Sequence, residues 1–418
     1  MNRVYLCIDL KTFYASVECV ERKLDPFKVD LVVADKEKGT GTICLAISPH
    51  MKKRGIKNRC RVFEIPKNVH PIFAKPRMKK YIEYSANIYK IYLKYLSKDD
   101  IHVYSIDEAF LDVTSYLKLY KVSEIEMAKM IMNDILETTG ITATCGIGTN
   151  MYLAKIALDI ISKHVSNNIG YLNEEIFKEK LWYYTPLSDF WGIGVKTEAR
   201  LNKLHLLNMY DIAHANKQKL YKEFGIDAEL LIDHSFGKET CTIKDIKNYK
   251  SKSNSISNSQ ILFKDYNYIQ ARIVLSEMTD SLINTLVEKK CYTDSVGFSI
   301  GYSNYVIPSL KANCKISHKT NSYSTILDEI LKEYDYRINK NYMIRRVSVY
   351  FSNIDNKRIK QLDIFNTVEI EEKDETLEIA LKNIKSKYGN NSILRAISYE
   401  DDATAIIRNK LIGGHNAE

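Results

Sequence analysis

No apolar run in this chain is long enough to cross a bilayer. The longest, such as Val4–Ile8 and residues 30–34, hold about five residues against the roughly 20 of a membrane helix. The N-terminus, MNRVYLCIDL, lacks the apolar core and small-residue cleavage site of a secretory signal. These absences argue against membrane and secreted proteins and predict a cytoplasmic one. The eight cysteines contain no C-x-x-C pair, which leaves no closely spaced zinc ligands. In a reducing compartment they read as free thiols, mostly small buried hydrophobes, and not as a disulfide framework. Repeats of the solenoid kind are also missing.

What remains is ordinary for a soluble globular chain of two to four domains: 418 residues, 45% hydrophobic and 27% charged. The formal net charge of +9 suits a polyanionic partner without establishing one. Val4–Ile8 reads as a buried strand ending at Asp9, followed by a helix over Phe13–Arg22. Residues 30–34 and 42–47 read as strands. Residues 50–61, HMKKRGIKNRCR, carry six Lys or Arg and no acid. A Tyr-rich helix is predicted over 79–96, and residues 102–114 read as two apolar strands meeting at a charged turn. A helix over 123–138, a strand over 141–148 and a helix over 152–163 follow. This order is compatible with a ferredoxin-like sheet. Small helices are expected over 171–245. The Ser/Asn/Lys-rich stretch 250–259 reads as a linker. Strands and helices alternate again over 261–353, with helices near 267–288 and 323–334. A tail then carries acids Glu369, Glu371, Glu372, Asp374, Glu375 and Glu378, with a helix near 375–388.

Asp107 and Glu108 sit at the turn between two apolar strands, and Asp9 ends a strand of the same predicted sheet. Converging carboxylates repel one another and raise one another's pKa values unless a cation neutralises them. Hard oxygen ligands favour Mg²⁺, and two such ions suit in-line phosphoryl transfer. Taken alone, the Asp-Glu pair reads more readily as a solvated hairpin tip, and Asp9 as a helix N-cap.

Four segments in order, IDLKTFYASVE (8–18), YSIDEAFLDVT (104–114), TCGIGTNMYLAKIALD (144–159) and FWGIGVKTEARL (190–201), resemble the successive motifs of the Y-family, or lesion-bypass, DNA polymerases. KSNSISNSQIL (252–262) is similar to the entry of that family's little finger. The likeness covers roughly residues 1–355 and leans to the bacterial UmuC/MucB/UvrX-like branch, the ImpB/MucB/SamB family. It implies an α+β right-hand polymerase. The ferredoxin-like palm would span 1–170, with small fingers inserted at about 19–77. A helical thumb with a helix-hairpin-helix would span 171–249, a linker 250–259, a separate α/β little finger 260–355, and a tail 356–418.

The resemblance implies an error-prone DNA-directed polymerase without proofreading, acting on primer-template DNA and dNTPs. Asp9, Asp107, Glu108 and the Leu10 carbonyl would hold two Mg²⁺ ions, with Mn²⁺ as a possible substitute. Thr12 and Phe13 would lie along the triphosphate at a helix start, and Tyr14 would be the steric gate that blocks a ribose 2′-OH. Lys11 stands where many members carry an acid. Pro49 and Lys52 replace the Tyr and Arg that grip the triphosphate in the better-known branch, and Lys52 supplies a point charge instead of a fork. The family's triphosphate lysine matches Lys163 when one residue is inserted.

Gly192 and Gly194, with Lys196 and Arg200, would bring backbone N–H groups to a DNA phosphate. Lys311, Lys315, His318, Lys319, Arg345 and Arg346 are candidate phosphate contacts of the little finger, and each reads equally as an ordinary solvated residue. Gln361, Leu362, Asp363, Ile364 and Phe365 resemble the peptide that docks bacterial polymerases on the sliding clamp. An accessory protein of the SOS response is a further expected partner. A catalytically weak DNA-binding and clamp-binding regulator of the same fold is the alternative. A palm-type cyclase is more distant, because it has no use for the helix-hairpin-helix or a second basic domain.

Overall fold

Strand β1 (Tyr5–Leu10) is buried at every position but Asp9, and it is an apolar run without alternation. Such a run needs cover on both faces and neighbours on both edges. The computed structural model, which describes residues 3–251, 254–305, 307–357 and 367–418, supplies both. The chain divides into two compact units, Met1–Tyr249 with Ala417–Glu418, and Lys250–Asn416. Among the described residues no helix is long and apolar enough to cross a membrane.

In the first unit, β1 leads into α1 (Phe13–Glu21). A small three-stranded sheet follows, made of β2 (Leu31–Val33), β3 (Ala46–Ile47) and β4 (Ile72–Ala74) in the order β3-β2-β4, with α2 (Pro49–Lys53) between the last two. The chain returns through α3 (Met78–Tyr95) to β5 (Ile101–Val103) and β6 (Glu108–Asp112), then α4 (Thr114–Tyr120), α5 (Glu124–Thr139) and β7 (Ala143–Gly148). Next come α6 (Met151–Ile156), a π-turn over Ala157–Ile161, a 3₁₀ turn over Ser162–His164 and β8 (Ile169–Leu172). The main sheet runs β5-β6-β1-β7-β8, with β1 antiparallel to both β6 and β7 and only β7 and β8 parallel. Short helices complete the unit: α7 (Glu174–Leu181), α8 (Val195–Lys203), α9 (Met209–His214), α10 (Lys217–Phe224), α11 (Asp227–Ser235) and α12 (Ile243–Asn248).

The second unit is an antiparallel sheet of β9 (Ile256–Tyr266), β10 (Thr293–Tyr302), β11 (Leu310–Thr320) and β12 (Ile344–Ser352), ordered β11-β10-β12-β9. Helices α13 (Tyr268–Lys289) and α14 (Tyr323–Arg337) share its core with Val296, Phe298, Ile300, Val347, Val349 and Phe351. Helix α15 (Thr367–Tyr388) packs on α13 and α14.

Several boundaries differ from the sequence reading. Of residues 42–47, only Ala46 and Ile47 form strand, because Ile43 and Cys44 pair with the loop at Cys60 and Arg61. Strand β8 crosses residue 170, so the sheet extends past the boundary expected between palm and thumb. The expected linker ends early: residues 256–259 already pair with β12, and their polar side chains suit a strand with one open face. Strand β11, not anticipated, alternates buried Ala312, Cys314 and Ile316 with exposed Lys311, Asn313 and Lys315. The acidic tail helix begins before 375 and turns some of its acids inward, while Glu369 and Glu372 stay exposed. Glu371 accepts from Thr320 at 2.8 Å, and Asp374 from Ser322 and Ser324 at 2.7 Å each.

One close approach fixes where the palm helix lies. A Cβ on Gly146 of β7 would stand 2.0 Å from the Ala154 carbonyl oxygen and 2.3 Å from the Leu158 nitrogen. Both are backbone atoms, so no side chain can yield. Gly146→Ala is therefore expected to destabilise the chain by about 3 kcal/mol or more, read as the midpoint of urea unfolding. A shift below about 0.5 kcal/mol would show that the helix can withdraw without cost.

Candidate active site

Antiparallel pairing of β1 with β6 sets Asp9 directly opposite Glu108. The turn before β6 closes with Tyr104 and Ser105 N–H groups donating to the Glu108 carbonyl, at 2.9 and 3.0 Å. Asp107 rides on that turn, its carbonyl accepting from Leu10 N–H at 3.0 Å and its carboxylate from Ser105 Oγ at 2.7 Å. Two backbone ladders thus bring Asp9, Leu10, Asp107 and Glu108 to one end of the sheet.

The electrostatic strain falls on Asp9. Burial, then the Asp107 charge and more weakly Glu108, push its carboxyl up to about 7, while Lys163 and Lys155 pull the other way. Glu108 is held differently. Lys155 Nζ lies 2.8 Å from Oε1, and Cys7 Sγ donates to the same oxygen at 3.1 Å. Lys155 itself is nearly buried on α6. Burial alone would lower its ammonium, but Glu108 and Asp159 outweigh that and raise it. With Glu108 turned to Lys155 and Asp107 to Ser105, no three acids, His or Cys among the described residues form a ready-made cation cage. The donor set nevertheless fits Mg²⁺, because its groups are hard oxygens and one partly exposed carboxylate, Asp9, is left without an ion-pair partner among the described residues.

Several lysines act through their charge on one another and on Asp9. Lys52 on α2 is accessible to solvent, yet surrounding protein lowers its ammonium, Asp9 raises it, and Lys163 and Lys11 lower it. Lys11 is lowered by burial and by Lys53, and donates to Asn168 Oδ1 at 2.6 Å. Lys163 pairs with Asp159 at 2.9 Å, and Asp159 pairs with Lys155 at 3.0 Å. Ala157–Ile161 forms a π-turn, which holds one residue more than an α-turn.

Thr12 precedes α1 in the left-handed region, with φ 46°, and makes no side-chain cap. That backbone costs a non-glycine residue about 1–3 kcal/mol, a strain that clusters at functional sites. It leaves first-turn N–H groups of α1, those of Phe13 and Tyr14 included, without an intrahelical acceptor. The half-buried Tyr14 ring lies on the ring of Tyr81, centroids 4.6 Å apart and planes 26° apart. Burial and the Asp107 charge raise its hydroxyl, while Arg59 lowers it.

The expected DNA contacts fare unevenly. Gly192, with φ +93°, and Gly194 both face open space ahead of α8, and Lys196 is exposed beside them. Arg200 is instead taken up by Glu223 at 2.8 Å and lies over the Phe224 ring, so it ties α8 to α10. In the second unit, Lys311 and Lys315 stand opposite Ser299 and Ser295, and Arg346 opposite Gly301, on the sheet face away from the core. Lys319 pairs with Asp355 at 3.2 Å, His318 with Glu371 at 2.8 Å, and Arg345 with Asp265 at 3.3 Å, so these three are drawn off that face. The segment Gln361–Phe365 lies outside the described residues.

Lys155 escaped the sequence reading although it stands inside a quoted motif. The signal was there: a lysine among Tyr152, Leu153, Ala154, Ile156 and Ala157 must be buried, and a buried lysine needs a carboxylate. Arg59, the charge near Tyr14, was also passed over within its basic run.

Residues 8–159 match the impB/mucB/samB family, and residues 253–364 match the C-terminal domain of that family. A Bacillus subtilis (strain 168) protein named "Putative UV-damage repair protein UvrX" is 34% identical, covering 99% of this chain and 97% of its own. "DNA polymerase IV 2" of the same organism is 28% identical, with 99% of both chains covered. Among solved structures, a Y-family DNA polymerase chimera of Dbh and Dpo4 aligns with a TM-score of 0.66 and 26% identity, over 85% of this chain and all of that one.

The Asp9 shift makes cation binding depend on pH. Between about pH 4 and about pH 7 the folded, metal-free chain holds a proton on Asp9 that the unfolded chain has released. That contribution to stability is therefore present at low pH and lost as pH rises through about 7. A divalent cation needs the ionised form, so Mg²⁺ affinity is expected to fall about tenfold per pH unit below 7 and to level off above it. Thermal-shift titrations at pH 6 and 8 check this. Equal affinities, or a dependence that survives in Asp9→Asn, would remove Asp9 from the cation site.

Proposed function

Because the chain belongs to the impB/mucB/samB family of Y-family DNA polymerases, we propose that it is a translesion DNA polymerase acting in damage tolerance. It extends primer 3′ ends with dNTPs in the bacterial cytoplasm by phosphoryl transfer at Asp9, Asp107 and Glu108. The observation that carries this reading is the strand register that sets Asp9 across from Glu108 with Asp107 on the adjoining turn.

Asp9, Asp107, Glu108 and the Leu10 carbonyl are the groups that hold Mg²⁺, with Mn²⁺ as a substitute. The bound ions would supply charge neutralisation of the attacking and leaving oxygens. The protein's own part is positioning. The first-turn N–H groups of α1 at Phe13 and Tyr14, beyond Thr12, face the triphosphate, and Lys52 and Lys163 contribute point charges to it. Lys155 holds Glu108 in place through the 2.8 Å ion pair. Tyr14 stands where the sugar of the incoming nucleotide lies, so its ring excludes a 2′-hydroxyl.

Along the duplex, Gly192, Gly194 and Lys196 meet phosphates in the first unit. In the second, Lys311, Lys315 and Arg346 do so on a sheet face that also carries the small residues Ser295, Gly297 and Ser299. Contacts of this type are independent of sequence and weaken with salt, as a polymerase that tolerates distorted templates requires. Gln361–Phe365 docks the enzyme on the sliding clamp.

Primer extension on damaged and undamaged templates tests the reading. Asp107→Ala is expected to reduce incorporation by at least about a hundredfold; equal activity would refute the site. Folded protein that binds DNA yet adds no nucleotide would be the non-catalytic, clamp-tethered regulator instead. Changing Leu362 and Phe365 together to Ala should abolish stimulation by the clamp and spare basal synthesis. An equal fall in both would make the segment structural.

A further inference from the structure

A single buried carboxylate lies at the base of the basic insertion. Glu18 on α1 is fully buried. Arg77 grips it with two parallel hydrogen bonds, Nε to Oε1 at 3.0 Å and Nη2 to Oε2 at 2.9 Å. Arg22 donates to Oε2 and, at 2.9 Å, to the Glu18 backbone carbonyl. Tyr81, also fully buried, donates its hydroxyl to Oε1 at 2.8 Å. The two arginines have a particular place in the chain. Arg22 follows the last residue of α1, where the insertion that carries β2–β4 begins, and Arg77 immediately precedes α3, where it ends. Both ends of the insertion are thus tied to one carboxylate.

The same carboxylate reaches the nucleotide side. Tyr14 and Glu18 are one turn apart on α1, and Arg77 and Tyr81 are one turn apart across the start of α3. The Tyr81 hydroxyl holds its ring against rotation, and that ring is the surface on which Tyr14 stacks. A bidentate Arg–carboxylate pair adds fixed direction as well as attraction, and an offset aromatic pair transmits ring position to its neighbour.

We propose that Glu18, with Arg22, Arg77 and Tyr81, forms a clasp that fixes the rotamer of Tyr14, so that these residues set sugar selectivity through Tyr14 without touching the nucleotide. The inference rests on the reading of Tyr14 as the sugar gate. Glu18 and Tyr81 are positioning residues, and the clasp makes selectivity depend on how the insertion is anchored.

The test is single-nucleotide incorporation by the full chain with a dNTP and the rNTP of the same base. Tyr81→Leu and Glu18→Gln are expected to raise the rNTP:dNTP ratio of kcat/KM by roughly tenfold, the scale set by freeing one side-chain rotamer. Tyr81→Phe keeps the ring and loses only the hydroxyl, so its effect should be smaller. In a Tyr14→Ala background, Tyr81→Leu should change the ratio no further, because the two act through one group. If Tyr81→Leu and Glu18→Gln leave the ratio unchanged while Tyr14→Ala relaxes it, the clasp is refuted and the gate stands. A uniform loss for both nucleotides in Tyr81→Leu would likewise reduce the clasp to a structural staple. An unchanged ratio in Tyr14→Ala would remove the gate and the clasp together. Should Glu18→Gln fail to fold, the two Tyr81 variants decide the question.

Discussion

Everything at the candidate site follows from the pairing of β1 with its two neighbours. A strand whose every position but Asp9 is buried has a specified register, since a slip of one residue would carry that carboxylate into an apolar, buried place. The same register that buries Tyr5 to Ile8 sets Asp9 across from Glu108 and Leu10 against Asp107. The site is therefore a by-product of core packing, and it inherits the rigidity of the core. The absence of room for a Cβ at Gly146 extends that rigidity to α6, which carries Lys155.

That rigid frame holds charge in an unbalanced way. Two of the three carboxylates have their own partners, Ser105 for Asp107 and Lys155 for Glu108. Asp9 has none among the described residues, and burial and the Asp107 charge raise its pKa. Lysines 11, 52 and 163 act on Asp9 through their charge without pairing directly with it.

Much of this was legible in the residues. Long or buried elements announced themselves: β1, α3, α5, α13 and the strand-turn-strand around Asp107 and Glu108 lie within a few residues of their sequence-based bounds. Short or polar elements did not. IGYL at β8 is four residues with a glycine, which alone reads as loop, and it forms only because β7 offers an edge. The start of β9 is Ser and Asn, residues of turns, and it becomes strand because its partner β12 is already in place and one face stays open. Of the acids of α15, Glu371 is taken up by His318 and Thr320 and Asp374 by Ser322, a pairing between segments some 50 residues apart that no local pattern signals. The roles of Glu18 and Lys155 were hidden for the same reason, since their meaning lies in partners far along the chain.

The chain of ion pairs from Glu108 through Lys155 and Asp159 to Lys163 has a further consequence. The four groups alternate in sign and sum to zero. An anion that draws Lys163 away leaves the remaining three with a net charge of −1, concentrated toward Glu108. A cation arriving at Glu108 competes with Lys155 and releases it toward Asp159, which in turn loosens Lys163 for an anion. Occupancy of the two ends is thus linked, and linkage between binding equilibria is reciprocal: each ligand improves the other's affinity by the same factor. Three ordinary side chains on one helical segment, with a fourth on β6, would thus favour the joint arrival of two oppositely charged ligands over the arrival of either alone.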